Sequence, residues 1–152
     1  MGILNGLMRK LGMDKSMVAE RHPIRVFLLD DDRRRHDWFT KRFKGDHLDI
    51  AETVEEAREF LSANFYDAVF LDHDLLPEHY RTNNADKEKT GFAIAVWLAS
   101  RPDIQPSSTI LVHTRNADAA MRMVEELRRA GRQAEYAPFT ILEHKIRNYW
   151  HR

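Results

Sequence analysis

Residues 24–32 read IRVFLLDDD, residues 67–75 read DAVFLDHDL and residues 109–116 read TILVHTRN. Each is a short apolar run ending in polar, chemically capable side chains, and each is followed by a segment of different periodicity. Short apolar runs alternating with amphipathic segments imply βαβ units and a parallel sheet. Worked outward from these three, the sequence predicts strands over 24–29, 48–51, 68–71, 109–112 and 133–137. Helices are expected over about 33–43, with Trp38 and Phe39 on the inner side, then 54–64 and 90–100. Thr53-Val-Glu-Glu56 reads as a capping box before a stripe of Val54, Ala57, Phe60 and Leu61. Asn116 is the expected cap of a further helix, whose Ala120, Met123, Val124 and Leu127 share a face before Gly131 stops it. A second capping box, Thr140-Ile-Leu-Glu143, is expected to open the last helix, with Leu142, Ile146, Tyr149 and Trp150 buried.

The 152 residues suit a single domain. Charged residues at 32% beside a hydrophobic share of 43% form a globular mixture, since a disordered chain carries fewer apolar groups and more net charge. The formal net charge is zero, so no global basic field is directed at nucleic acid. Without cysteine there is no disulfide, thiolate nucleophile or thiolate metal site, and a cytoplasmic location is expected. The opening MGILNGLMRKLGM spaces Ile3, Leu4, Leu7, Met8 and Leu11 as on a helix, but it is too short to span a bilayer. It lacks a small-residue cleavage site, and Gly6 stands where a myristoylation motif requires Ser or Thr. Residues 1–22 are therefore expected to be an amphipathic accessory segment, and residues 23–152 the domain proper, with no membrane partner.

Right-handed crossovers onto one sheet favour strand order 2-1-3-4-5 in a three-layer α/β, flavodoxin-like fold. Ligands of open α/β sheets bind outside the carboxyl ends of the strands at the switch point, here between the first and third strands. Asp30, Asp31, Asp72, His113 and Thr114 should meet around one crevice there.

At these positions the sequence resembles a response-regulator receiver (CheY-like) domain over roughly residues 24 to 150, through LLDDD, DAVFLD, VHT and APF. The resemblance implies that Asp30 and Asp31 hold Mg²⁺, that Asp72 is the phosphoacceptor position and that Thr114 is the hydroxyl position. Ala137 stands where such a domain has the lysine of its KPF motif, which removes an ammonium that would neutralise phosphoryl oxygens. The strand-end histidines of LDHDL and VHTRN, with Thr90-Gly91, make the chain most similar to the cyclic-phosphate-processing receiver-like family. That resemblance implies a phosphoesterase.

The residues support such chemistry directly. Asp30, Asp31 and Asp72 are hard oxygen ligands suited to Mg²⁺ or Mn²⁺, which bind phosphate oxygens at their remaining positions. The alternative is that Asp30, Asp31 and Asp32 merely cap a helix. Histidine as a residue type can take or give a proton near neutrality, so His73 and His113 suit a base and an acid, with Asp72 as a third catalytic candidate, although a strand-end histidine is often structural. Asp74 could orient a histidine, extend the metal shell or cap the loop. Thr114, Arg115 and Asn116 precede a helix and are candidates to hold phosphate. Arg33-Arg-Arg35 could meet nucleic-acid phosphates beside the site, though three basic residues opening a helix are more often a solvated face, and the segment from His79 to Lys89 reads as a lid or a disordered loop. The expected partner is a phosphorylated small molecule or an RNA end. The rival expectation is a non-catalytic module that docks a protein, or a second copy, through the N-terminal segment or the last strand and helix.

Overall fold

The structure is a computed structural model that describes residues 22–75 and 89–152. The expected lid, apart from Lys89, and the accessory segment, apart from His22, lie outside the described residues. Strands β1 (Arg25–Leu29), β2 (His47–Ala51), β3 (Ala68–Leu71), β4 (Thr109–Val112) and β5 (Gln133–Tyr136) alternate with helices α1 (Arg33–Arg42), α2 (Val54–Ala63), α3 (Gly91–Ser100), α4 (Ala117–Arg129) and α5 (Phe139–Trp150). The strands pair in parallel in the order β2-β1-β3-β4-β5. The expected topology is therefore the one found.

Successive strand residues face opposite sides, and both sides are covered, which explains the unbroken apolar runs. Phe27, Leu29, Val69, Leu71, Ile110 and Val112 pack beneath α2, α3 and α4. Val26, Leu28, Phe70 and Leu111 pack beneath α1 and α5, with Phe39, Phe43, Leu142 and Ile146 from those helices. The register sets Leu29 beside Leu71 and Leu71 beside Val112, so Asp30, Asp72 and His113 leave the sheet together.

Side chains cap α1, α2 and α4, whereas α3, behind Thr90, and α5 start without a side-chain capping bond. Thr53 Oγ1 accepts from the Glu56 N–H at 3.2 Å while Glu56 accepts from the Glu52 N–H, and Asn116 Oδ1 accepts from the Ala119 N–H at 3.1 Å. Thr140, the expected cap of α5, lies inside that helix. Pro138 occupies the cap position there, with no side-chain capping bond, because proline's fixed φ starts the helix before Thr140 is reached. Glu143 is recruited instead by Arg42 of α1, at 2.5 Å. Tyr149 and Trp150 are only partly buried; Leu142 and Ile146 are the residues of α5 that reach the core.

Gly91 fixes where α3 begins. Its N–H donates to the His73 carbonyl at 2.9 Å, and a Cβ on it would lie 1.7 Å from the Asp72 carbonyl oxygen. Only glycine allows α3 to approach the end of β3 so closely. Gly91→Ala is therefore expected to destabilise the fold by about 2 kcal/mol or more through overpacking. The melting temperature should fall by roughly 5 °C or more, as read by calorimetry. An unchanged value would show that α3 can move away without cost.

Candidate active site

Asp30 follows directly on β1 and is fully buried. Its two carboxylate oxygens are met by four donors. Oδ1 accepts from Arg35 Nη2 at 2.8 Å and from the Asp32 N–H at 2.9 Å. Oδ2 accepts from Arg35 Nε at 2.6 Å and lies 2.8 Å from His113 Nε2. Burial opposes ionisation of Asp30, but the hydrogen bonds from His113 and Arg35 outweigh it and hold the carboxyl at about 2.

The three consecutive aspartates divide their tasks. Asp32 is the cap of α1, accepting from the Arg34 N–H at 2.8 Å, so the capping alternative holds for this residue alone. Asp31 is half-buried and joins Asp30 and Asp72 in a cluster whose carboxylate oxygens lie within 4.8 Å of one another. Burial, then the charges of Asp30 and Asp72, push the Asp31 carboxyl up to about 6. Asp72, nearly buried, is raised by burial as well, although the His113 and Arg35 charges pull the other way.

Arg35 corrects the sequence reading. It does not share the solvated face of Arg33 and Arg34 but turns inward, bonded to Asp30, 3.1 Å from Asp72 and 3.2 Å from Asp32. The available signal was its place three residues after a capping aspartate, one helical turn along, where an ion pair closes back onto the cap.

The two histidines have different surroundings. His113 is buried, with its ring 5.6 Å from that of Phe39 and 5.8 Å from that of Phe139, and its Nδ1 has no partner among the described residues. His73 pairs with Asp74, Nδ1 to Oδ1 at 2.7 Å. Asp74 therefore orients a histidine, as one reading of it had allowed. Above Asp72 and His113 opens a cavity of about 300 Å³, lined also by Asp32, Arg34, Arg35, Arg115 and Phe139. His73 is not among its lining residues. Of the phosphate candidates only Arg115 lines it: Thr114 is buried and its hydroxyl accepts from the Asn116 N–H, while the Asn116 side chain caps α4. Those two polar groups are used by the turn itself. Ala137, just beyond β5, is fully buried and brings no charge to the crevice.

The family model of the cyclic-phosphate processing receiver domain matches residues 24–129. The chain belongs to this family. No curated protein matches it. Among solved structures, a CheY-like response regulator receiver domain from Methanospirillum hungatei JF-1 has a TM-score of 0.60 at 19% identity, over 84% of this chain and 93% of that one. A putative response regulator from Chloroflexus aurantiacus J-10-fl has a TM-score of 0.58 at 21% identity, over 86% of this chain and 100% of that one. A Burkholderia pseudomallei response regulator, solved with a phosphorylated aspartic acid, a calcium ion and citrate, gives a TM-score of 0.59 at 18% identity over 83% of this chain. This chain spans 66% of that protein's length. At these identities the likeness establishes the fold of this receiver-like chain. No helix among the described residues is long and apolar enough to cross a membrane.

Receiver domains typically hold Mg²⁺ or Ca²⁺ at an acidic site, and the donor set here suits a hard divalent ion. Three carboxylates converge, and burial first, then the charges of Asp30 and Asp72, raise Asp31 against the opposing charge of Arg35. That gives a sign for the pH dependence of the metal-free protein. A carboxyl raised in the folded state holds its proton where the unfolded chain has lost it, so its contribution to stability falls as pH rises from about 4 toward about 6. Melting temperatures recorded from pH 7 down to pH 5 should fall less steeply, or rise, in the parent relative to Asp31→Asn. Identical profiles for the two proteins would show that neither burial nor the neighbouring carboxylates raise Asp31.

Proposed function

We propose that this receiver-like domain is a metal-assisted phosphoesterase that opens a cyclic phosphate to a phosphomonoester, acting in the cytoplasm on an RNA end, a nucleotide or an ADP-ribose-type substrate. The observation that carries this reading is the cavity, in which Asp72 and His113 sit under a rim bearing Arg34 and Arg115. A polar recess lined by three arginines and by Asp72, one member of the carboxylate cluster, suits a phosphate bound beside a metal ion. Asp30, Asp31 and Asp72 would hold Mg²⁺ or Mn²⁺, which would supply Lewis acidity toward a phosphoryl oxygen.

The remaining work falls to the chain's own residues. Arg34 and Arg115 bind the outer phosphate oxygens and orient the ring phosphorus. Phe139 and the buried face of His113 exclude bulk water from one side of the recess. In the reaction, water adds to phosphorus, one ring P–O bond breaks, the attacking water gives up a proton and the departing alkoxide takes one. His113 is the nearer proton carrier, since one ring nitrogen is tied to Asp30 and the other is free of protein partners among the described residues. His73, oriented by Asp74, is the second carrier in this reading, on the β3 side of the crevice.

A second reading has its own support. Every lone pair of the Asp30 carboxylate is engaged, and His113 is nearly sealed, which would suit a non-catalytic module that docks a partner, for instance through β5 and α5. Turnover separates the two. With Mg²⁺ or Mn²⁺, the protein should open RNA ending in a 2′,3′-cyclic phosphate, cyclic mononucleotides or an ADP-ribose cyclic phosphate. His113→Ala should cost on the order of a hundredfold or more, and His73→Ala less. No turnover on this panel, or turnover that survives His113→Ala, would favour the docking module.

Small phosphodonors should leave no lasting phosphoryl group on Asp72, since Ala137 supplies no ammonium beside it. Intact mass reads this directly. A stable adduct absent from Asp72→Asn would return the chain to phosphorylation signalling.

A further inference from the structure

We propose that Arg35 is an exchangeable internal cation: it holds the acidic crevice in the metal-free protein, yields Asp30 and Asp72 to a divalent ion, and then binds the anionic ligand. The inference rests on the metal reading above for the identity of the ligands, and on the geometry of Arg35 for everything else.

A carboxylate oxygen offers two lone pairs, so a carboxylate accepts about four hydrogen bonds. Asp30 already receives four, two of them from Arg35. With Arg35 in place Asp30 has no lone pair left for an ion. Once Arg35 withdraws, each oxygen keeps one protein donor, Asp32 N–H on Oδ1 and His113 on Oδ2, and each regains one lone pair. Asp72 is freed by the same movement, because its contact to Arg35 is through the same Nη2. The withdrawal has somewhere to go. The Arg35 side chain keeps 26% of its surface exposed and lines the cavity that Arg34 and Arg115 rim. A guanidinium fork that grips a carboxylate bidentately fits two oxygens of a phosphate equally well.

The position of the cation also makes sense of Ala137. The end of β5 provides no charge to the crevice, and α1 provides one in its place. Unlike a fixed lysine reaching over from β5, this cation competes with the metal for the same oxygens. The consequence is coupling. A metal that displaces Arg35 makes it available to an anion, and an anion that draws Arg35 away makes the carboxylates available to a metal, each raising the affinity of the other by the same factor.

The test measures Mn²⁺ binding by electron paramagnetic resonance, with and without inorganic phosphate, in the parent, Arg35→Met and Arg35→Lys. Without phosphate, Arg35→Met should bind Mn²⁺ about tenfold or more tighter than the parent. Arg35→Lys keeps the charge but cannot cover both oxygens of Asp30, so it too should bind tighter than the parent; this separates freed lone pairs from a simple change of charge. Phosphate should tighten Mn²⁺ binding in the parent by about tenfold, and in Arg35→Met clearly less. Circular dichroism establishes that each variant is folded, and if Arg35→Met is not, Arg35→Lys decides. Unchanged or weaker Mn²⁺ binding in the folded variants, or an equal phosphate effect in Arg35→Met and parent, would overturn the proposal. Because the readout is binding, the two readings fail separately. Turnover with unaltered metal affinity in the variants removes the exchange and leaves the phosphoesterase, whereas the expected affinities without turnover remove the phosphoesterase and leave the exchange.

Discussion

The carboxylate of Asp30 is the constraint to which the upper end of the sheet is fitted. A buried ion is tolerated only when it is paired and its lone pairs are satisfied, and removing one partner of such a pair typically costs about 3–5 kcal/mol. Asp30 meets that condition by drawing donors from three places: Arg35 on α1, His113 at the end of β4, and the backbone of its own turn. Its backbone is held too, with its N–H on the Ala51 carbonyl of β2 and its carbonyl 2.6 Å from His36 Nε2. Through Arg35 the same network reaches Asp72 and hence β3. One side chain thereby fixes the mutual position of three neighbouring strand ends and one helix.

The two ends of the sheet are treated differently. At the opposite end Gln105 serves the Tyr66 N–H and the carbonyls of Leu61 and Asn64, and Arg132 binds the carbonyls of Leu98, Arg101, Ile104 and Gln105, closing off the last turn of α3. Polar demand is met there by polar supply. At the carboxyl end the described residues include two buried polar atoms without a partner, Thr90 Oγ1 and His113 Nδ1, and three carboxylates closer together than their charges favour. Among the described residues, the departures from local satisfaction are thus concentrated at the carboxyl end of the sheet.

Much of this was legible in the sequence because strands buried on both faces and helices with one apolar stripe leave different periods in the chain. The runs ending at Asp30, Asp72 and His113 fixed which side chains leave the sheet together, and right-handed crossovers left one favoured strand order. What escaped was set by side-chain direction over one helical turn. Arg33, Arg34 and Arg35 are identical as letters, and only the third, a helical turn after the capping Asp32, reaches inward to Asp30 and Asp72. Thr140 failed as a cap for a related reason, since a proline two residues earlier had already fixed the backbone. The strand-end position of His113 beside Asp72 already favoured it over His73, but the sequence did not show that His73 finds an adjacent carboxylate and His113 a slot between two phenyl rings.

Moving the site's cation from the end of β5 to α1 changes which carboxylate is neutralised first. Arg35 spends its Nε and its shortest Nη2 contact on Asp30 and reaches Asp72 with one longer bond. Asp30 is accordingly held ionised, while Asp72, more deprived of water than compensated, is pushed the other way. An ordinary receiver depends on its phosphoacceptor being the reactive carboxylate, with a cation waiting for the phosphoryl group that it gains. Here the cation is already engaged, and Asp72, in the acceptor position, is shifted against ionisation by its burial. Under the exchange proposed above, the Arg35 guanidinium joins Arg34 and Arg115 as a partner for a phosphate only when it leaves Asp30, which couples anion binding to the state of that buried carboxylate.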